Sequence, residues 1–178
     1  MPQLVFPSAL YKKSYLEALK DFHLEGRNLE WSVELLSNDF SPLLTRFRQD
    51  ALGLDLAPDH VPQIRFWLVE EDEYLGRVSL RSPLTRLQRL RGGNIGYEVA
   101  PQHRRRGFGH LLLGEGLKLA LESRIRRPLV TCDKNNLVSR HIIEKAGGEF
   151  DASLANTQFP TERHYWFDLG ESKSINHD

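Results

Sequence analysis

Residues 104–110 read RRRGFGH, and LLLGEGLKLALE follows with the apolar content of a helix. The first N–H groups of a helix lack internal acceptors and lie at the positive end of its dipole. Glycine lets an anion approach that backbone closely. The stretch therefore predicts a phosphate cradle built from Arg104, Arg105, Arg106, Gly107, Phe108, Gly109 and His110. A carboxylate stands just before it, Glu98 in NIGYEVAP, and a polar helix start lies beyond it, with Asn136 and Ser139 in NNLVSRHIIEKAGG.

Three kinds of phosphate site compete for this turn. A nucleotide-binding Walker loop needs Lys-Ser/Thr after its second glycine, and here His110 follows Gly109. A dinucleotide fingerprint needs a third glycine where Leu112 stands, and an acidic residue closing a second strand, whereas Glu122 falls within the helix. The third candidate is the pyrophosphate of coenzyme A. The pattern Arg-x-x-Gly-x-Gly, Arg104 to Gly109, with GYEVAP before it and DKNNLVSRHIIEKAGGEF after it, resembles the GNAT superfamily of acyl-CoA-dependent N-acyltransferases. The likeness spans roughly residues 94–150, and the longer text from RSPLTRLQRLRGGN onward looks like a bacterial branch of that superfamily.

That resemblance implies an α/β (α+β) fold with a mixed, splayed central sheet and helices on both faces. It implies acetyl-CoA as cosubstrate, with pantetheine along Glu98, Val99 and Ala100 and the pyrophosphate on the amides of about 105–110. Asn136 would touch the pantetheine arm, with Ser139 nearby. The acceptor would be a small-molecule or peptide amine attacking directly, without an acyl-enzyme, and a homodimer is common among such proteins. A non-catalytic acyl-CoA-binding regulatory module is the alternative reading.

Direct attack sets two chemical demands. An alkyl amine has a pKa near ~10.4, so holding it neutral at pH 7 costs roughly 4.6 kcal/mol. A base must take its proton, and Glu98 is the candidate; the competing reading is a sheet glutamate paired with arginine. The thiolate must also be protonated. Relatives often use a tyrosine seven residues after the Asn, but Ile143 stands there, leaving Tyr165, with His141 and Cys132 as further substitutes.

The positioning elements follow from periodicity. QLVF at 3–6 reads as a strand, YKKSYLEALKDFHLEG as a helix burying Tyr15, Leu16, Leu19 and Phe22 and stopped by Gly26, and SPLLTRFRQDALGL as a helix capped by Ser41. QIRFWLVEE and YLGRVSLRS form a hairpin, and SPLTRLQRLRGGN is an arginine-rich connection holding a helical turn. NIGYEVAP, RPLVTCD, EFDASLA and TERHYWFDL complete the strands, with helices over 107–123 and 136–148. Seven arginines fall between 81 and 106; they read as contacts for nucleotide phosphates, for an acidic acceptor, or for surface carboxylates, the last favoured for Arg86 and Arg89.

The 178 residues suit one domain over 1–169 with a polar tail at 170–178. Lys plus Arg is 24 and Asp plus Glu is 24, so zero net charge argues against a nucleic-acid partner. The single cysteine, Cys132, cannot form an intrachain disulfide, and no signal peptide or long apolar run is visible, so the expected setting is cytoplasmic, without a membrane. The seven histidines show no metal-ligand spacing, so no metal is expected, and Trp31, Trp67 and Trp166 read as core.

Overall fold

Alternating and helical apolar patterns resolve into one seven-stranded sheet in a computed structural model that describes residues 1–170. From residue 171 onward the expected polar tail lies outside the described residues. The strands are β1 (Gln3–Val5), β2 (Gln63–Glu70), β3 (Glu73–Arg81), β4 (Ile95–Val99), β5 (Leu129–Asp133), β6 (Glu149–Phe150) and β7 (Glu162–Trp166). Their order across the sheet is β1-β2-β3-β4-β5-β7-β6. Every pairing is antiparallel except β4 with β5, which run parallel, are joined at Asn94 and Leu129, and share one register pair, Ile95 with Val130. The mixed, splayed sheet is the architecture expected from the sequence.

The helices are α1 (Lys12–Leu24), α2 (Val33–Asn38), α3 (Ser41–Leu52), α4 (Arg86–Leu90), α5 (Phe108–Glu122) and α6 (Leu137–Lys145). Helices α1 to α3 cover one face of the sheet, burying Tyr15, Leu19, Phe22 and Leu43 against Trp67 and Val69. Helices α5 and α6 cover the other, with Leu112, Leu113 and Ile143 against Val78, Ile95 and Val130. Each fully buried aliphatic side chain contributes roughly 1.5–3 kcal/mol, so the two cores together hold the sheet from both sides.

A β-bulge sets which side chains face which core. The register between β2 and β3 shifts after Leu68, so Val69 faces Tyr74 while Trp67 faces Arg77. The extra residue puts Tyr74 on the same face as Arg77, beside the α1–α3 core. There Tyr15 stacks on Trp67 at 4.7 Å and meets Tyr74 edge-on at 5.2 Å.

Three local expectations change. Helix α2 was not legible in WSVELLSN, because six residues are too few for a periodic pattern; Ser32 caps it by accepting from the Leu35 N–H. Ser41 does not cap α3 but sits in its first turn, and Asp39 accepts from the Ser41 N–H at 2.9 Å. The strand expected over EFDASLA stops at Phe150, because Asp151 turns its carboxylate onto the Ser153 N–H and winds Ala152–Leu154 into a single helical turn. Among the described residues no helix is long and apolar enough to cross a membrane.

Gly116 fixes how closely α5 approaches the sheet. A Cβ there would lie 2.7 Å from Ile95 Cγ2 and 3.0 Å from Val78 Cγ2, both on stiff β-branched side chains. Gly116→Ala is expected to lose about 1–3 kcal/mol of stability, measured as a lower urea midpoint with an unchanged m-value.

Candidate active site

The gap between β4 and β5 opens into a cleft. Antiparallel pairing with β3 turns the backbone groups of Gly96, Glu98 and Ala100 toward β3, and the Ala100 N–H donates to the Leu75 carbonyl at 2.9 Å. Tyr97 and Val99 therefore present their N–H and C=O groups to the gap. Beyond Ile95 the strand has no β5 partner, so these groups are open to an extended ligand. Val99 lines the cleft, together with Tyr97, Asn136, Ser139 and Ile142.

One end of the cleft is the start of α5. Gly107 is its N-cap, with φ of +86°, and Arg105 also has a positive φ of 61°. These conformations turn consecutive backbone amides inward, forming an anion cradle lined by Arg104, Arg105, Gly107, Phe108, Gly109 and His110. The two glycines do different work. Gly107 supplies the left-handed turn, and a Cβ there would meet nothing. Gly109 lies inside the helix, where a Cβ would come 2.7 Å from Ile142 Cδ1, so its smallness lets α5 and α6 close over the gap.

Helix α6 forms the opposite wall. Asn136 caps it by accepting from the Ser139 N–H at 3.0 Å, which leaves its amide NH₂ available to the cleft. The Ser139 hydroxyl meets the Tyr97 hydroxyl at 2.8 Å. Burial pushes the Tyr97 phenol up to about 12, only partly offset by Ser139, so it stays protonated. Ile143, seven residues after Asn136, is fully buried, so that position brings no proton donor to the cleft.

Glu98 points to the other side of the sheet. It is 5% exposed and accepts hydrogen bonds from Arg77 Nε at 3.0 Å, Asn28 Nδ2 at 3.1 Å, and the Arg27 guanidinium. Burial alone would raise its pKa, but the charges of Arg77 and Arg27, with the hydrogen bonds from Asn28 and Arg77, outweigh it and hold the carboxyl below its ordinary range. Glu98 also lines a second cavity of about 320 Å³ under α1 and α3, so one residue borders both spaces.

A sequence model of the Acetyltransferase (GNAT) family matches residues 27–148. The chain belongs to that family. Solved structures share its GNAT fold: a putative ribosomal-protein-serine acetyltransferase from Vibrio cholerae is 13% identical at a TM-score of 0.61, with 94% of this chain and 93% of that one covered. The yncA putative acetyltransferase from Salmonella typhimurium, solved with its cofactor acetyl-CoA, is 14% identical at 0.62, with 99% of both chains covered. The Microcin C7 self immunity acetyltransferase MccE, in complex with acetyl-CoA and AMP, is 9% identical at 0.63, covering 94% and 92%. No curated protein matches the chain in sequence.

Within this GNAT fold the expected site residues separate. Glu98, Val99, Arg104, Arg105, Gly107, Phe108, Gly109, His110, Asn136 and Ser139 come together around the cleft. Arg104 spans from the turn to α1, holding Glu25 with two bonds of 2.6 and 2.7 Å. Arg106 turns away, its Nη1 on His103 Nδ1 at 3.0 Å and its guanidinium over the Phe108 ring. Ala100 is fully buried with its N–H used by β3, so the backbone groups of this strand that stay open to the gap are those of Val99 and Tyr97. Tyr165 stands apart from the cleft, fully buried, and donates to Glu144 Oε1 at 2.9 Å. Burial and the nearby Glu162 charge push the Cys132 thiol up to about 11, which keeps it a protonated core group. Arg86 and Arg89 have no carboxylate partner within ion-pair distance among the described residues, unlike Arg91 with Glu162.

Arg27, Asn28 and Tyr97 went unread in the sequence. The first two lie in an irregular loop 71 and 70 residues from Glu98, and only folding reveals the link. Glu98→Gln removes the charge that compensates two guanidinium groups, and is expected to cost about 3 kcal/mol by urea denaturation. The folded pKa is depressed, so this stabilisation is present above the ordinary carboxylate value of ~4.3 and is lost as pH falls through the folded value. The gap in stability between wild type and variant should accordingly close in acid.

Proposed function

We propose that the protein transfers the acetyl group of acetyl-CoA to the primary amine of a small-molecule acceptor, by direct attack within a single catalytic domain over residues 1–169. The observation that carries this reading is the position of Glu98, which borders both the cleft between β4 and β5 and the cavity on the opposite face. A donor in the first space and an acceptor in the second would meet at one carboxylate. The cradle at Gly107 fits a pyrophosphate, and the open backbone of Tyr97 and Val99 fits the amides of pantetheine.

The donor thus enters along α5 and α6, and the amine from beneath α1 and α3. The amine nitrogen forms a bond to the thioester carbonyl carbon while the C–S bond breaks. Before attack the ammonium gives one proton to Glu98, directly or through water. The departing thiolate then takes a proton from the Tyr97 hydroxyl, itself held by Ser139, and the second proton shed by the new amide nitrogen restores Tyr97 through water while Glu98 returns its proton to solvent. Tyr97 thus fills the role left open by Ile143 and not met by Tyr165. Glu98 is ionised throughout the neutral range, so it always carries the negative charge that attracts an ammonium group. The setting is the cytoplasm, in keeping with a lone Cys132 thiol.

The test is thiol release from acetyl-CoA with a panel of primary amines. Turnover is expected, with Glu98→Gln and Tyr97→Phe each lowering kcat by about 10²-fold or more while the KM for acetyl-CoA changes little. The rate should climb with pH along the ionisation of the amine, with no limb from a carboxylate near neutrality. Tight coenzyme A binding with no turnover on any amine would overturn the catalytic reading in favour of a binding module.

A further inference from the structure

The second cavity has a floor unlike either core. On one face of the sheet, β2 contributes Gln63 and Arg65, β3 contributes Arg77, Ser79 and Arg81, and β4 contributes Gly96 and Glu98. This is the continuation of the face that carries Trp67 and Val69, covered by the same layer of helices. A covered sheet face normally buries aliphatic side chains. Here it changes from aromatic to basic within one strand length, and the resulting basin is walled by Trp31 and Phe47.

The charges of the basin do not balance. Asp50 accepts from both Arg46, at 2.8 Å, and Arg65, at 2.5 Å. Glu98 in turn serves both Arg77 and Arg27. Arg81 bonds through Nη1 to the carbonyls of Gly92 and Gly93, each at 3.0 Å, and has no carboxylate partner among the described residues. Its burial, with Arg77 and Arg65 nearby, pulls its pKa down to about 10, so the surplus charge is already costly. Even with Glu30 at the exposed rim, guanidinium groups outnumber carboxylates.

The geometry also gives the surplus a direction. Arg81 lies back over β4, its Nη2 3.1 Å from where a Gly96 side chain would begin. Glu98 is two residues along the same strand face, roughly 7 Å away. We propose that the acceptor amine carries an oxyanion, a carboxylate or a phosphate, bound by Arg81 and Arg65 on the basin floor while its amino group is held at Glu98. This assignment rests on the acetyl-transfer reading. The volume of about 320 Å³ suits a molecule of amino-acid size, at the small end of ligand pockets. A polyamine would bring further positive charge to a basin that already holds too much.

The experiment pairs each anionic amine with a neutral counterpart. Free amino acids are compared with their amides for the carboxylate arm, and phosphoethanolamine with ethanolamine for the phosphate arm. In one arm or the other, wild-type kcat/KM is expected to favour the anionic member at least about tenfold, the scale of one charge-assisted hydrogen bond. Arg81→Gln should reduce that ratio to near one without weakening acetyl-CoA binding. Because Arg81 also holds the Gly92–Gly93 turn, Gln63→Glu provides a second variant. It places a carboxylate beside Arg65, to which Gln63 already bonds at 3.2 Å, and should reduce the same ratio with the fold kept. Equal use of both members of every pair by the wild type overturns the proposal and leaves acetyl transfer standing. So does a ratio unchanged in both variants. If no amine is turned over, calorimetry with inorganic phosphate and N-acetylglycine on the coenzyme A-loaded protein decides. Millimolar binding lost in Arg81→Gln supports the anion site, no binding overturns it, and failure to bind coenzyme A at all overturns the acetyl-transfer reading instead.

Discussion

Strands β4 and β5 run parallel, meet where Ile95 faces Val130, and then part. Leaving backbone groups unpaired in the middle of a sheet is costly unless something else satisfies them. Here the separation opens the sheet to a ligand, and much of the surrounding structure serves to hold that opening. Gly109 admits Ile142 so that α5 and α6 can pack side by side beyond the last shared pair. Asn136 starts α6 at the lip of the gap, and the Tyr97 side chain reaches across to Ser139. The antiparallel half of the sheet, from β1 to β4, supplies the rigid edge against which the gap is defined.

Glu98 is the counterpart of that opening on the opposite face. A buried carboxylate with one arginine partner would be an ordinary structural ion pair. With Arg77 from the neighbouring strand and Arg27 and Asn28 from the loop after α1, it also ties that loop to the centre of the sheet. The same contacts that make it anionic make it a weak base. In the proposed reaction its contribution is therefore electrostatic attraction and orientation as much as proton transfer, with the amine's own ionisation carrying the larger cost.

The parts of this architecture that were legible in sequence are those written locally. The glycine turn, the capped start of α6 and the strand holding Glu98 each occupy fewer than ten consecutive residues, and their order matches a known family. What was not legible depends on distant segments meeting. Arg27 and Asn28 sit in a loop with no periodic signal. Tyr97 lies on the strand face that packs against the α5–α6 core, and only the position of α6 shows that its hydroxyl reaches Ser139. The alternation of Arg77, Ser79 and Arg81 with Val78 and Leu80 is what a strand with one wet face would show, and period-two patterning cannot tell a wet face from a covered polar one. Tyr165 suggests an acid by residue type alone, whereas on β7 its hydroxyl is buried and donates to Glu144, away from the cleft.

The sheet also acts as an energetic partition. The α5–α6 core and the α1–α3 core are separate clusters on opposite faces of the strands, joined off the sheet by the Arg104–Glu25 pair. Substitutions more than about 7–10 Å apart with no common contact combine additively. Changes to the basin floor and changes at Gly107 or Gly109 should thus combine as independent increments, while changes at β4, or along the chain of contacts from Arg104 through Glu25 and Arg27 to Glu98, couple both sides. A lineage could retune which molecule enters beneath α1 without disturbing how α5 holds its ligand, provided that the Glu98 strand stays in place.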